Sequence, residues 1–257
     1  MYESSNHNQQ SLNNNENNIV QKDKTPLFGN IKKIICFLLL MFIICIILLI
    51  ILNFIVYESV PSDYSIKAIY HNTGGSISLY YALPNAKNIK IWVNGNYVSK
   101  NTDSYDSNGD IEVYFKMDIS NCASLSRMFE FTNIESITFS PHFNTSNIED
   151  MSNLFASCIY LKSIDVSHFD TRNVRSMSYM FYQCVKLTSL NITNFDTEKV
   201  TTMTHMFYGS NFKSLNLSNF NTKNVLEMQY MFHRSSFTSI DISHFNIWII
   251  CSVNVKI

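Results

Sequence analysis

Hydrophobic positions in this chain fall into two regimes. From Ile34 to Tyr57 the sequence is apolar throughout, with no charge and a single polar residue, Asn53. Further on, apolar positions return with a fixed beat. Phe143, Phe169, Phe195, Phe220 and Phe245, each followed by Asp or Asn, are spaced by 26, 26, 25 and 25 residues. A second landmark keeps step with them: Met128-Phe129, Leu154-Phe155, Met180-Phe181, Met206-Phe207 and Met231-Phe232. A period of this length marks one supersecondary unit per repeat, each unable to bury its apolar face without a neighbour.

Within one repeat the pattern predicts a strand and then a helix. Leu161, Ile164 and Val166 have the spacing L-x-x-L-x-L, which suits a short inward-facing strand. Asp170-Thr171 offers side-chain oxygens where a helix would begin. Val174, Met177 and Phe181 lie at i, i+3 and i+7, one face of a short helix. Copies differ by one residue in the return loop only, six positions from Phe155 to Leu161 and five from Phe207 to Phe212. In the same register Ile111 to Phe115 becomes the first strand and Ile240 to Ser243 the last, six parallel strands in all. The expected fold is a leucine-rich-repeat-like α/β solenoid of short parallel strands and short helices, with an N-terminal β cap and a single transmembrane helix.

The flanking segments divide the chain further. Residues 1–33 are rich in Asn, Gln and Ser with few apolar positions, the signature of a disordered tail. Residues 34–57, as a helix, would span about 36 Å, enough for a hydrocarbon core of about 30 Å. A cleaved signal peptide is the rival reading, although the apolar run is long and no small-residue cleavage site follows Val56. Lys22, Lys24, Lys32 and Lys33 precede the span and only Lys67 lies close behind it. The positive-inside rule then places the N-terminus in the cytoplasm and the C-terminal part outside, a type II signal anchor at the plasma membrane. In residues 58–110 the punctuation is that of hairpins. Asn94-Gly95 separates Ile89–Val93 from Asn96–Val98, and Asn72 to Gly75 and Asn108-Gly109 mark further turns. This part is expected to be a β cap closing the first edge of the repeats, with 111–257 forming the repeats and an irregular end.

Charge narrows the choice of partner. The whole chain carries 19 Lys+Arg and 20 Asp+Glu, and no basic block appears beyond the span, so no nucleic-acid partner is expected.

In the clearest copy, Met180-Phe181, Cys184, Leu187, Ser189-Leu190, Phe195-Asp196-Thr197, Val200, Met203 and Met206-Phe207 spell the phrase MF-x-x-C-x-x-L-x-S-L followed by F-D-T-x-x-V-x-x-M-x-x-MF. This phrase, over roughly 111–246, resembles that of the BspA-like leucine-rich-repeat surface proteins. The segment from Ile89 to Val98 also looks like that family's pre-repeat hairpin. The resemblance implies a cell-surface protein of the adhesion kind, binding an extracellular protein or matrix ligand. Two departures stand out: the cysteine position is Ser210 and Ser235 in the last repeats, and the phrase stops after Phe245.

The remaining reactive side chains have plainer uses. Cys158 and Cys184 occupy equivalent positions, where in-register side chains point the same way; buried thiols are expected rather than a disulfide. Six cysteines without ligand spacing give no zinc site. His142, His168 and His244 share a column with Asn194 and Asn219 but lack a third metal ligand. Asp106 to Asp110 resembles a calcium loop without its required ligands, so a turn is expected there. Asn144, Asp170, Asp196, Asn221 and Asn246 form a column of capping residues. No Ser-His-Asp set, carboxylate pair or glycine loop appears, so no enzyme, no cofactor and no metal is expected.

Three sequons, at Asn144, Asn191 and Asn216, are possible N-glycosylation sites beyond the span. Partner binding is expected at Tyr179, Tyr182, Tyr208 and Tyr230 with Arg172 and Arg175, because exposed strand positions such as Thr138 and Asp165 are small or polar and Tyr and Arg dominate hot spots. The alternative is a truncated paralogue with a structural or decoy role and no ligand. After Phe245 the apolar run Trp248 to Ile250 and the alternating Val253, Val255 and Ile257 either fold over the last repeat as a lid or leave an edge open for end-to-end self-association.

Overall fold

The computed structural model describes residues 26–56, 59–82, 85–98, 103–237 and 239–246. The tail before residue 26 and the apolar C-terminal run from residue 247 lie outside the described residues. The chain divides into two units at Tyr57 and Glu58.

The described part of the first unit is one helix, α1 (Pro26–Val56). It has no Pro or Gly after Gly29, so nothing interrupts its hydrogen bonds across the apolar run. Residues Ile31–Ile50 are long and apolar enough to cross a membrane, and side chains 31–50 are all exposed. A helix that is apolar all round and uncovered by protein needs an apolar surrounding. A membrane span and a signal sequence near the N-terminus both meet that description.

Among the described residues the second unit holds eight strands. They are β1 (Ile66–Tyr70), β2 (Gly75–Ser78), β3 (Lys87–Val93), β4 (Asn96–Val98), β5 (Ser104–Ser107), β6 (Ile111–Asp118), β7 (Ile134–Phe139) and β8 (Ser163–Asp165). Six form one sheet in the order β4-β3-β6-β1-β7-β8, and β2 pairs with β5 in a second, two-stranded sheet. The β3–β4 hairpin turns at Asn94-Gly95, whose φ values of 49° and 81° are those a two-residue hairpin loop demands. Alternation puts Ile66, Ala68 and Tyr70 of β1 and Ile111, Val113, Phe115 and Met117 of β6 into the core.

This architecture overturns the expected α/β solenoid. Among the described strands only β7 and β8 pair in parallel; every other ladder is antiparallel. Ile111 to Phe115 is not the first of six parallel strands. It belongs to β6, which is separated from β7 by β1, a strand from outside the repeats that pairs with both. No described helix lies in the second unit, and beyond β8 the later repeats touch through isolated parallel bridges such as Ser176↔Thr202 and Ser214↔Ser239.

The segment expected to be helical is a run of turns. The N–H groups of Met177, Tyr179, Phe181 and Gln183 donate to the carbonyls of Thr202, Thr204, Met206 and Tyr208 in the next repeat, at 2.7–3.0 Å. The alternate N–H groups of Met180, Tyr182 and Cys184 donate three residues back, to Met177, Tyr179 and Phe181. An α-helix would need each of these donors for its own i−4 carbonyl. Here four of the seven tie one repeat to the next. Tyr179 and Gln183 adopt φ of 60° and 53°, and the equivalent Asn153, Ser157, His205 and Gly209 lie between 57° and 68°. Each such left-handed residue costs about 1–2 kcal/mol when it is not glycine, and each of these six donates its N–H to the following repeat. The apolar spacing i, i+3, i+4, i+7 fits this ribbon as well as a helix, so Val174, Met177, Met180, Phe181 and Cys184 are buried as expected.

The landmark phenylalanines form the core's spine. Phe129, Phe155, Phe181, Phe207 and Phe232 stack ring on ring at 5.7–5.9 Å, and Phe169 stacks on Phe195 at 6.5 Å.

Candidate functional site

The two left-handed positions per repeat set up a surface of their own. At the first stand Asn153, Tyr179, His205 and Tyr230, and three residues on from them stand Ala156, Tyr182, Tyr208 and His233. Because each repeat is tied in register to the next, these side chains meet as two columns of rings. Tyr179 stacks on His205 at 4.6 Å with planes 6° apart, and His205 meets Tyr230 at 5.0 Å. Tyr182 stacks on Tyr208 at 5.0 Å, and Tyr208 meets His233 at 5.4 Å. The columns touch across the repeat, Tyr179 to Tyr182 at 5.4 Å, His205 to Tyr208 at 5.4 Å and Tyr230 to His233 at 5.5 Å. The Arg234 guanidinium lies over the Tyr208 ring, 5.8 Å from its centroid.

The rings are half-buried except Tyr230, which is 42% exposed. Their neighbours leave His205 poor in water: its Nδ1 is buried and has no hydrogen-bond partner among the described residues. Burial, with His233 nearby adding repulsion, holds the His205 imidazole below its ordinary value. The surface is an aromatic patch of stacked rings with the Arg234 guanidinium over one of them.

The structure brings together the four tyrosines expected from the sequence and pairs the two arginines with carboxylates. Arg172 is held by Asp170 through Nε–Oδ1 and Nη2–Oδ2 contacts of 2.9 and 2.6 Å, and its guanidinium keeps the Asp170 carboxyl below the usual range. Arg175 faces Glu149 at 3.4 Å, in another column. The histidines His205 and His233 were missed. Their signal was available, since they stand at the same repeat phase as Tyr179 and Tyr182.

Other columns are structural. Cys158 and Cys184 are buried free thiols that donate to the carbonyls of Phe129 and Phe155 in the preceding repeat. Ser210 and Ser235 do the same to Phe181 and Phe207. Asn194 and Asn219 donate to the preceding repeat's backbone, and the His244 ring lies 2.9 Å from the Leu217 carbonyl. The buried hydroxyls of Thr145, Thr171 and Thr197 donate to the carbonyls of Asp170, Asp196 and Asn221 and accept from the same residues' N–H groups. Asn144, Asn191 and Asn216 are exposed, and each accepts through Oδ1 from the N–H two residues on, a turn-capping role that Asp165 and Asp241 share. Among the described residues, the single group of three His, Cys, Asp or Glu side chains with metal-binding geometry lies away from the rings, at His71, Asp110 and Glu135.

These features define a β-rich repeat protein whose most distinctive surface is aromatic. Residues 96–191 and 186–254 match the family described as "Mycoplasma protein of unknown function, DUF285". The two matches cover more than half of the chain, and the chain belongs to that family. This supports the resemblance to surface repeat proteins coarsely, without confirming the repeat phrase itself. No curated protein and no solved structure matches the chain.

Proposed function

We propose that this is a membrane-anchored surface protein whose repeat region is a non-catalytic module that binds a protein or matrix partner through the two aromatic columns. The observation that carries the reading is the in-register set of Tyr179, His205 and Tyr230 beside Tyr182, Tyr208 and His233. Rings already stacked on one another lose little freedom on binding, and Tyr is among the residues that dominate interface energetics. The BspA-like phrase supports adhesion as the use of such a surface. The excess of lysines before the apolar helix supports a cytoplasmic N-terminus and an external repeat region.

Cells displaying the full chain should adhere to a panel of host-cell and matrix-protein surfaces, and the double substitution Tyr182→Ser/Tyr208→Ser should abolish adhesion. Adhesion undiminished in the double variant removes this face from the reading. Adhesion absent from both chains, against every surface, favours the ligand-free alternative. Protease added to intact cells should remove the repeats and spare an epitope near residue 10; the reverse outcome overturns the orientation.

A further inference from the structure

We propose that His71, Asp110 and Glu135 form a binding site for a divalent zinc-class cation. The three residues are far apart in sequence and are assembled by the central sheet. His71 follows β1 directly, Asp110 directly precedes β6, and Glu135 lies near the start of β7. Because β1 pairs with both neighbours, Tyr70 sits opposite Ile111 on one side and Ile134 on the other. The residues that flank this row therefore converge at one end of three adjacent strands. The β1–β7 register shifts between Ile69 and Tyr70, and the His71 N–H donates to the Asn133 carbonyl at 2.8 Å, which anchors the histidine backbone.

The ligand atoms lie close to the spacing a first-row metal imposes, and small side-chain adjustments would complete it. His71 Nδ1 lies 3.2 Å from Asp110 Oδ1 and 3.7 Å from Glu135 Oε2, and all three atoms lie within 4.8 Å of one another. Metal–ligand bonds of about 2.0–2.2 Å in a tetrahedron place ligand atoms about 3.3–3.6 Å apart. Surrounding groups already orient each ligand. The Asn72 N–H donates to Asp110 Oδ1 at 2.9 Å. Lys162 Nζ occupies Glu135 Oε1 at 2.8 Å and leaves Oε2 turned to the histidine. The His71 ring packs on Tyr160 at 4.7 Å. Outer contacts of this kind fix ligand orientation in metal sites. The two carboxylates outnumber Lys162, the lysine bonded to them, and a bound cation would offset the difference. The imidazole selects zinc over the oxygen-seeking calcium and magnesium. Three protein ligands leave one tetrahedral position open for water or for a ligand brought by a partner.

Titrating zinc sulfate into the full-length chain in detergent micelles, by calorimetry, should show one saturable site, and zinc should raise the thermal unfolding midpoint. His71→Ala and Glu135→Gln should each weaken binding at least about 100-fold, beyond the 10–100-fold typical of outer-contact changes, and abolish the thermal shift. The variant His205→Tyr/His233→Tyr should bind zinc as the parent does, and calcium at equal concentration should leave the midpoint unmoved. Far-UV circular dichroism without metal checks that each variant is folded, and Asp110→Asn replaces His71→Ala if the latter is not. No zinc binding by the parent chain, binding undiminished in folded His71 or Asp110 variants, or binding lost with His205 and His233 would each overturn the site.

Discussion

The Sγ–H of Cys184 donates to the carbonyl oxygen of Phe155, 3.2 Å away in the preceding repeat. Ser210, one repeat on, makes the same contact to Phe181 at 3.0 Å. What this column requires is a small buried donor, and thiol and hydroxyl both supply one. Cys184→Ser should therefore stay close to the parent in stability, whereas Cys184→Ala leaves the Phe155 carbonyl with the Cys158 N–H alone and should cost about 0.5–1.5 kcal/mol. Urea unfolding midpoints of the two variants and the parent decide the matter; equal loss in both would mean that sulfur packing, not donation, is what counts.

The same burial makes these thiols resistant to ionisation. Burial pushes the Cys158 thiol up to about 12, against the opposing hydrogen bond from Thr132, and raises Cys184 well above its ordinary value. In the unfolded chain a cysteine ionises near pH 8.5. Below that pH both states hold the proton and nothing is lost. Above it the unfolded state releases protons that the folded state keeps, so stability falls as pH rises, by up to about 1.4 kcal/mol per unit for each thiol. Denaturation midpoints at pH 8 and just below pH 10 should show the decline, and Cys158→Ser/Cys184→Ser should reduce it, leaving the share of Cys122, which burial also raises. The upper limit excludes the buried Tyr70, whose hydroxyl is also raised by burial. A slope unchanged by the double substitution would assign the alkaline loss to other groups.

Much of the packing was legible in the sequence because burial follows phase. The repeated phenylalanines Phe143, Phe169 and Phe195 and the landmark Phe155, Phe181 and Phe207 are all in the core. The backbone was not legible, for two physical reasons. Of the left-handed positions in the repeats from Asn153 to Gly209, only Gly209 is a glycine; Tyr179, Gln183 and His205 carry no local sign of positive φ. Their conformation is imposed by hydrogen bonds to the next repeat, which apolar spacing cannot reveal. And β1, outside the repeats, inserts between β6 and β7, so register alone misassigned the first neighbours. At the aromatic site a search for Tyr and Arg found four of the six rings. It added Arg172 and Arg175, which are engaged by Asp170 and Glu149 instead.

A single hydroxyl joins adjacent repeats at Thr171. It donates to the Asp196 carbonyl at 2.9 Å and accepts from the Asp196 N–H at 2.8 Å. Thr171→Val keeps the shape and strands both backbone groups, at about 1–3 kcal/mol for each one that water does not reach. Thr193, exposed and bonded through its hydroxyl to Asn191, provides the comparison; Thr193→Val should stay within about 0.5 kcal/mol of the parent. Equal midpoints for the two variants in urea unfolding would show that the Thr171 ladder adds nothing to the coupling between repeats.

His205 carries the last prediction. It stands where Tyr179 and Tyr230 stand in the repeats on either side, and its ring stacks on Tyr179 with planes 6° apart. Burial first, and the charge of His233 second, hold its imidazole below the ordinary histidine value, so the folded chain prefers it neutral. The unfolded chain takes up a proton near pH 6.5. Above that pH both states are neutral and the contribution is complete. As pH falls below it, the unfolded state binds a proton that the folded state still refuses, and stability is lost until the lowered folded value is passed. His205→Tyr replaces the ring with the one its neighbours use and removes the titration. The variant should match the parent at pH 7.5 in thermal unfolding and unfold at a higher temperature than the parent at pH 5. If parent and variant lose stability in parallel between those two pH values, His205 is not the group that titrates. If the variant is already weaker at pH 7.5, a tyrosine cannot replace the imidazole in this column.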